Sequence, residues 1–152
     1  MRRGHGVPLT AEGTLDVRHG AWWLTPLLIR LMTLPAAGRG QPVRLEVTRT
    51  GGDVEWLRRI GSSVLRTRQR AAGSVLLEHS RIGRVAFTLD VEDGALLYRQ
   101  VAMRVAGIPV PSFVRPRVRG RVSAAAGGWR VEVTITCRRH LVCAYAGVLR
   151  PV

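Results

Sequence analysis

From about residue 43 to the end of the chain, apolar residues alternate with polar or arginine residues in short runs, and glycine-rich turns separate the runs. Alternation puts every second side chain on one face of an extended strand, so each run predicts a strand with one buried face and one wet face. Residues 43–48 and 54–60 form the first pair, joined by the turn Thr50-Gly51-Gly52-Asp53. Further strands are expected at 63–71, 75–79, 85–91, 96–105, 113–123, 129–137 and 141–149, with Glu92-Asp93-Gly94 and Gly127-Gly128 as clear turns. Ahead of them, Thr14-Leu15-Asp16-Val17-Arg18 alternates as a first strand.

Residues 21–34 break the rhythm. Pro26 suits the first position of a helix, where its missing N–H costs nothing, Thr25 is the expected N-cap, and Pro35 and Gly38 stop the run. A helix over 26–34 would be apolar nearly all round and could not sit free in water. It is expected to lid or plug one end of the fold, with Trp22, Trp23, Leu27 and Leu31 as the lid residues. An open sheet this wide would leave two unpaired edges. The expected fold is therefore mainly β, a closed or nearly closed antiparallel barrel of about nine or ten strands, which is wide enough to enclose a cavity. Residues 1–12 lack periodicity and are expected to be a flexible arm, leaving 13–152 as a single barrel domain.

Charge changes this picture less than its size suggests. Twenty-four basic residues against 10 acidic give a net charge of +14, and every basic one is arginine. Lysine and asparagine are absent while Ala, Gly, Val and Arg abound, the pattern a GC-rich codon supply produces without selection for binding. Arg66, Arg68 and Arg70 share one strand face, as do Arg115, Arg117, Arg119 and Arg121, which places both sets on the barrel's outer coat. Aromatics make up 5% of the chain and the Trp22-Trp23 pair adjoins the helix, so no stacking platform for nucleic acid is visible and no nucleic-acid partner is expected. A buried lid is favoured over docking of Trp22, Trp23 and the helix on an anionic membrane surface. Met1-Arg2-Arg3 is followed by Gly4-His5-Gly6 where a signal peptide needs an apolar core, and two cysteines make no secreted framework. A cytoplasmic protein with free thiols is expected; the pattern leaves its oligomeric state open.

No motif names a chemistry. There is no Gly-x-Ser-x-Gly elbow, no pair of acid–base carboxylates and no nucleotide fingerprint, so no catalytic residue can be assigned and no cofactor is expected. His5, His19, His79 and His140 lack ligand-like spacing, and no metal is expected. What remains is a set of polar and aromatic residues on apolar strand faces: Trp56, Arg58, Glu78, Tyr98, Gln100 and Tyr145. Such groups supply the few polar anchors of an apolar pocket, and serve equally as satisfied core groups. Arg58 either binds an anionic group or pairs with Glu78, or else the register differs and it faces solvent. The inner face is ambiguous for 57–71 and 96–106. A symmetric turn at 138–140 would set Cys137 opposite Cys143.

The order of these elements resembles a bacterial family, domain of unknown function 4166. The resemblance runs from about residue 2 to 151. It rests on Gly13 to Gly20, on Leu34-Pro35-Ala36-Ala37-Gly38, Pro42-Val43 and Glu55-Trp56, and on Gly107-Ile108-Pro109-Val110-Pro111 and Tyr145-Ala146-Gly147-Val148-Leu149. It implies a domain that often stands behind a saccharopine-dehydrogenase-like, NAD(P)-binding domain, and it carries no catalytic residues. The expected function is a small-molecule-binding barrel with an apolar pocket, in one version a cofactor-independent cyclase or isomerase of a polyketide- or terpene-like metabolite. The alternatives are a non-catalytic carrier or accessory module for a dehydrogenase partner, and an anionic-membrane binder.

Overall fold

The computed structural model describes residues 8–152. Eleven strands and one helix follow one another as β1 (Leu9–His19), α1 (Thr25–Leu31), β2 (Gly38–Thr50), β3 (Asp53–Ile60), β4 (Ser63–Ala72), β5 (Val75–His79), β6 (Gly83–Glu92), β7 (Ala95–Val105), β8 (Ile108–Pro109), β9 (Arg117–Ala125), β10 (Gly128–Cys137) and β11 (His140–Pro151). Each strand pairs antiparallel with its neighbours; β6 pairs with β7, and β1 joins β2 to β11. Ten strands thereby close on themselves, and closure removes the edges an open sheet would expose. The two-residue β8 is an extra hairpin strand on β7.

Antiparallel order sorts the connections into two ends. The helix end carries residues 20–37, the β3–β4, β5–β6 and β10–β11 turns, and the segment from β7 through β8 to β9. The opposite end carries the β2–β3, β4–β5, β6–β7 and β9–β10 turns and the start of β1.

The core lies to one side. Ala11, Leu15, Val17, Val43, Leu45, Ile60, Ile135, Cys137, Val142, Cys143 and Leu149 pack together from β1, β2, β3, β10 and β11. Strands β4 to β9 contribute few fully buried side chains, because their inner faces look onto a cavity. At the β1–β11 seam, a Cβ on Gly147 would fall 2.0 Å from the Thr14 carbonyl oxygen, so no side chain fits there.

Four local expectations are corrected. Leu9 to Glu12 belong to β1 and not to an arm: they pair with Val47 to Arg44, and Ala11 is fully buried. Small Ala11 gives a weak apolar signal, and the remainder of the expected arm, residues 1–7, lies outside the described residues. The helix covers Thr25–Leu31, with Leu24 at the N-cap and no side-chain cap; Thr33, at φ 55°, ends it before Pro35. Cys137 faces His140 and Cys143 faces Ile135, because Arg138 and Arg139 alone make the turn, both at positive φ, and a register shift follows it. Arg117, Arg119 and Arg121 are exposed, but Arg115 is half-buried, its Nη1 donating to the Val101 carbonyl.

Candidate functional site

The barrel encloses a cavity of about 350 Å³. Its wall is mostly aliphatic and aromatic. Val43, Leu45 and Val47 come from β2, Val85 and Phe87 from β6, Val118 and Val122 from β9, and Trp129, Val131, Val133 and Ile135 from β10. Alternation along each strand delivers these side chains inward and their neighbours outward.

Into this wall β3, β4 and β5 set one connected polar group. Arg58 on β3 faces the cavity beside Trp56, its guanidinium carbon 5.1 Å from the indole centroid. Its Nη1 donates to Thr67 Oγ1 at 2.8 Å and lies 3.4 Å from Glu78 Oε1. Glu78 Oε2 accepts from Gln69 Nε2 at 2.9 Å. Thr67 and Gln69 sit on β4 between the two charges, so each charged group is held by a neutral neighbour as well as by its opposite. The Arg58 and Glu78 side chains are 21% and 20% exposed. The choice between pairing and solvent for Arg58 is settled by register: Leu45 and Leu65, both cavity-lining, are its cross-strand partners.

Both tyrosines of the chain line the same cavity. Burial pushes the Tyr145 phenol up to about 12; Arg58 opposes that shift and Glu78 adds to it. Burial raises Tyr98 as well, with Glu78 contributing and Arg58 again opposing. Tyr98 stands edge-on to Phe87, ring centroids 6.3 Å apart, and opposite Gly120.

Of the residues singled out from sequence, Trp56, Arg58, Glu78, Tyr98 and Tyr145 come together around this space. Gln100 does not. Its Oε1 accepts from the Val118 N–H at 2.7 Å, tying β7 to β9 one step beyond their last paired residues. The cause is a bulge: Gln100 pairs with Phe87 and Ala102 with Ala86, leaving Val101 as an extra residue. Past it the phase reverses, so Met103 and Val105 line the cavity and Ala102 is exposed.

The expected lid residues are also corrected. Trp23, Leu27 and Leu31 are 78%, 52% and 53% exposed, and Trp22 stacks on His140 at 4.6 Å. None of the four lines the cavity; Met32 and Leu34, at and beyond the end of α1, do. A helix apolar on every side carries no sequence signal for which face turns inward, and α1 turns Leu28, Ile29 and Met32 toward the core. Facing Met32 and Leu34 at the helix end are Ser80, Ile82 and Val105, of which Ile82 and Val105 are still 37% and 42% exposed, so the cavity opens there.

Thr67 and Gln69 went unmarked in the sequence although their spacing could have found them: in the run Arg66-Thr67-Arg68-Gln69-Arg70, an outward arginine ridge requires inward Thr67 and Gln69. Among the described residues, no three His, Cys, Asp or Glu side chains gather as metal ligands.

Among curated proteins, none matches this sequence. Among solved structures, Echinococcus granulosus fatty-acid-binding protein 1 is similar at 14% identity and a TM-score of 0.44, over 91% of this chain and 93% of that one. That likeness is too distant to bear on ligand or activity. The sequence comparison is more informative: residues 1–149 match the family described as Domain of unknown function (DUF4166), and the chain belongs to that family.

Proposed function

We propose that this barrel binds a small, apolar, uncharged metabolite in its interior, with one polar group of the ligand against Arg58, Glu78 and the two phenols. The observation that carries this reading is the cavity of about 350 Å³, whose mostly apolar wall holds one connected polar cluster on β3, β4 and β5, the rest of its polar lining being the two tyrosines, Ser80, Arg84, Arg104 and Arg121. Its size falls in the lower part of the range of small-molecule sites, about 300–1,000 Å³, and such sites pair an apolar wall with a few polar anchors. Electrostatics argue for a neutral ligand. Glu78 already neutralises Arg58, so a free carboxylate entering beside them would meet a second negative charge at low dielectric. A ketone or alcohol on a ring or chain skeleton meets no such penalty.

Displacement of N-phenyl-naphthylamine, a neutral probe that fluoresces in apolar surroundings, tests the reading. Apolar ketones and alcohols are expected to displace it more tightly than the carboxylic acids of the same skeletons. Absence of probe binding, or a consistent preference for the acids, overturns it.

A second reading is a cofactor-independent cyclase or isomerase of a polyketide- or terpene-like substrate. What favours it is the pair of phenols held neutral beside the ion pair, since a neutral phenol donates a hydrogen bond to a carbonyl oxygen that gains charge. Confinement of a flexible chain in a near-attack shape would supply the remainder of the acceleration. Turnover of such a substrate that Tyr145→Phe slows without weakening its binding separates catalysis from carriage; binding with no turnover leaves a carrier.

A further inference from the structure

We propose that the helix end of the barrel, around the cavity mouth, docks on the surface of an anionic lipid bilayer. Nine of the fourteen exposed large hydrophobic residues lie at this end. Leu27 and Leu31, spaced four apart, share the exposed side of α1, and Trp23, just ahead of the helix, is 78% exposed. Across the segment that carries β8, Ile108 and Phe113 are 69% and 72% exposed, more than an isolated surface side chain needs to be.

Charge identifies the partner. The connections at the helix end, residues 20–37, 61–62, 80–82, 106–107, 110–116 and 138–139, contain no aspartate or glutamate. They carry five arginines, of which Arg30, Arg81, Arg138 and Arg139 are exposed and Arg115 is half-buried. Beside the mouth Arg84 and Arg104 stand directly opposite each other on β6 and β7, an arrangement that costs stability unless something negative covers it. Among the described residues, none of these six exposed arginines is paired with a carboxylate. Four of the ten acids, Asp53, Asp90, Glu92 and Asp93, are in or beside turns at the opposite end; nearer the helix end, Asp16 is taken up by the Gly40 N–H and Glu78 by Arg58 and Gln69 inside the barrel. The molecule is thus polarised along its barrel axis: its apolar rim and six arginines without a carboxylate partner share one end, whereas the opposite end, with Arg49 and Arg150 unpaired among the described residues, also carries four acids at its turns.

An apolar rim within a carboxylate-free ring of arginines is complementary to anionic headgroups over acyl chains. Apolar side chains enter the interfacial layer and each arginine gains contact with the negative surface. Docking there would bring the mouth against the lipid. Passage of an apolar ligand between bilayer and cavity rests on the function proposed above; docking itself does not.

Flotation of the full chain with phosphatidylglycerol vesicles and, separately, phosphatidylcholine vesicles tests the proposal. The protein is expected to float with phosphatidylglycerol at low salt, and not with phosphatidylcholine. Ile108→Ser combined with Phe113→Ser, and Arg81→Gln combined with Arg138→Gln, are each expected to weaken vesicle binding about tenfold or more. These four residues do not line the cavity, so naphthylamine binding and melting temperature should remain those of the parent, which keeps this test separate from that of the cavity. Failure to float with phosphatidylglycerol at low salt overturns the proposal. So does vesicle binding untouched by the Ile108 and Phe113 changes and matched by an oligonucleotide, which would make the surface a general polyanion contact.

Discussion

Arg58 and Glu78 meet inside the barrel across an intervening strand, Nη1 to Oε1 3.4 Å, although they lie on β3 and β5 and are not ladder partners. Thr67 and Gln69 on β4 bridge the gap, so the polar cluster ties three strands on the side of the barrel that has few buried residues. Removing one charge leaves the other in a mostly apolar space without its counter-charge, held only by its neutral partner, Thr67 for Arg58 or Gln69 for Glu78.

Glu78→Ala is therefore expected to destabilise the protein by about 1–3 kcal/mol, the cost of an unsatisfied and largely buried polar group. Arg58→Met combined with Glu78→Leu should recover most of that loss, because the double replacement removes both desolvated charges. Urea unfolding of the two variants measures the difference. Equal loss in both would show that the pair is worth more than the apolar packing that replaces it.

The two tyrosines provide a second test, since the chain has no others and both line the cavity. In the folded protein, absorbance titration should show both phenols ionising above their ordinary value, Tyr145 at about 12. In denaturant both should titrate near their ordinary value of about 10. Tyr145 has a folded pKa above its unfolded one and is neutral in the fold, so its contribution to stability is complete below about pH 10 and is lost as pH climbs from there toward about 12. A Tyr145→Phe protein should show a shallower loss of stability over that window.

Thiol reactivity follows from burial. Cys143 is fully buried, its pKa pushed up to about 11, and burial raises Cys137 also. Aromatic disulfide reagents at pH 8 should find both thiols inert until the protein unfolds, because the thiolate is the nucleophile. With Cys137 opposite His140 and Cys143 opposite Ile135, air oxidation should give no internal disulfide.

The arginine coat carries a measurable strain. Arg84 faces Arg104 and Arg99 faces Arg119 across neighbouring strands. Arg104→Glu should stabilise the barrel by about 0.2–1 kcal/mol, the range of opposite-charge cross-strand pairs. Added salt should raise the melting temperature of the parent more than that of the variant.

The alternation of residues 43–60 and 129–149 conveyed closure and most of the inward set, because a side-chain period of two leaves a register little freedom once one face is apolar. Three features escaped it for distinct physical reasons. The bulge at Val101 has no glycine or proline to announce it, yet it decides that Gln100 braces β9 and that Met103 and Val105 turn inward. The Arg138-Arg139 turn uses two positive-φ arginines where asparagine or glycine would be the usual signal. The helix is apolar on all sides, so only packing against β11 and the core chooses Met32 and Leu34 for the cavity and sends Trp23, Leu27 and Leu31 outward.

Native mass spectrometry tests the central claim most directly. The parent protein would be incubated with neutral apolar ketones and alcohols beside Val133→Phe, whose added ring enters the cavity next to Tyr145 and opposite Gly120. One-to-one adducts are expected with the parent, and at least about tenfold weaker binding to Val133→Phe. The variant should still fold, because the ring enters cavity space and adds little of the strain of an overpacked core. Adducts of equal strength in both proteins, or none with either, would contradict a ligand site inside the barrel.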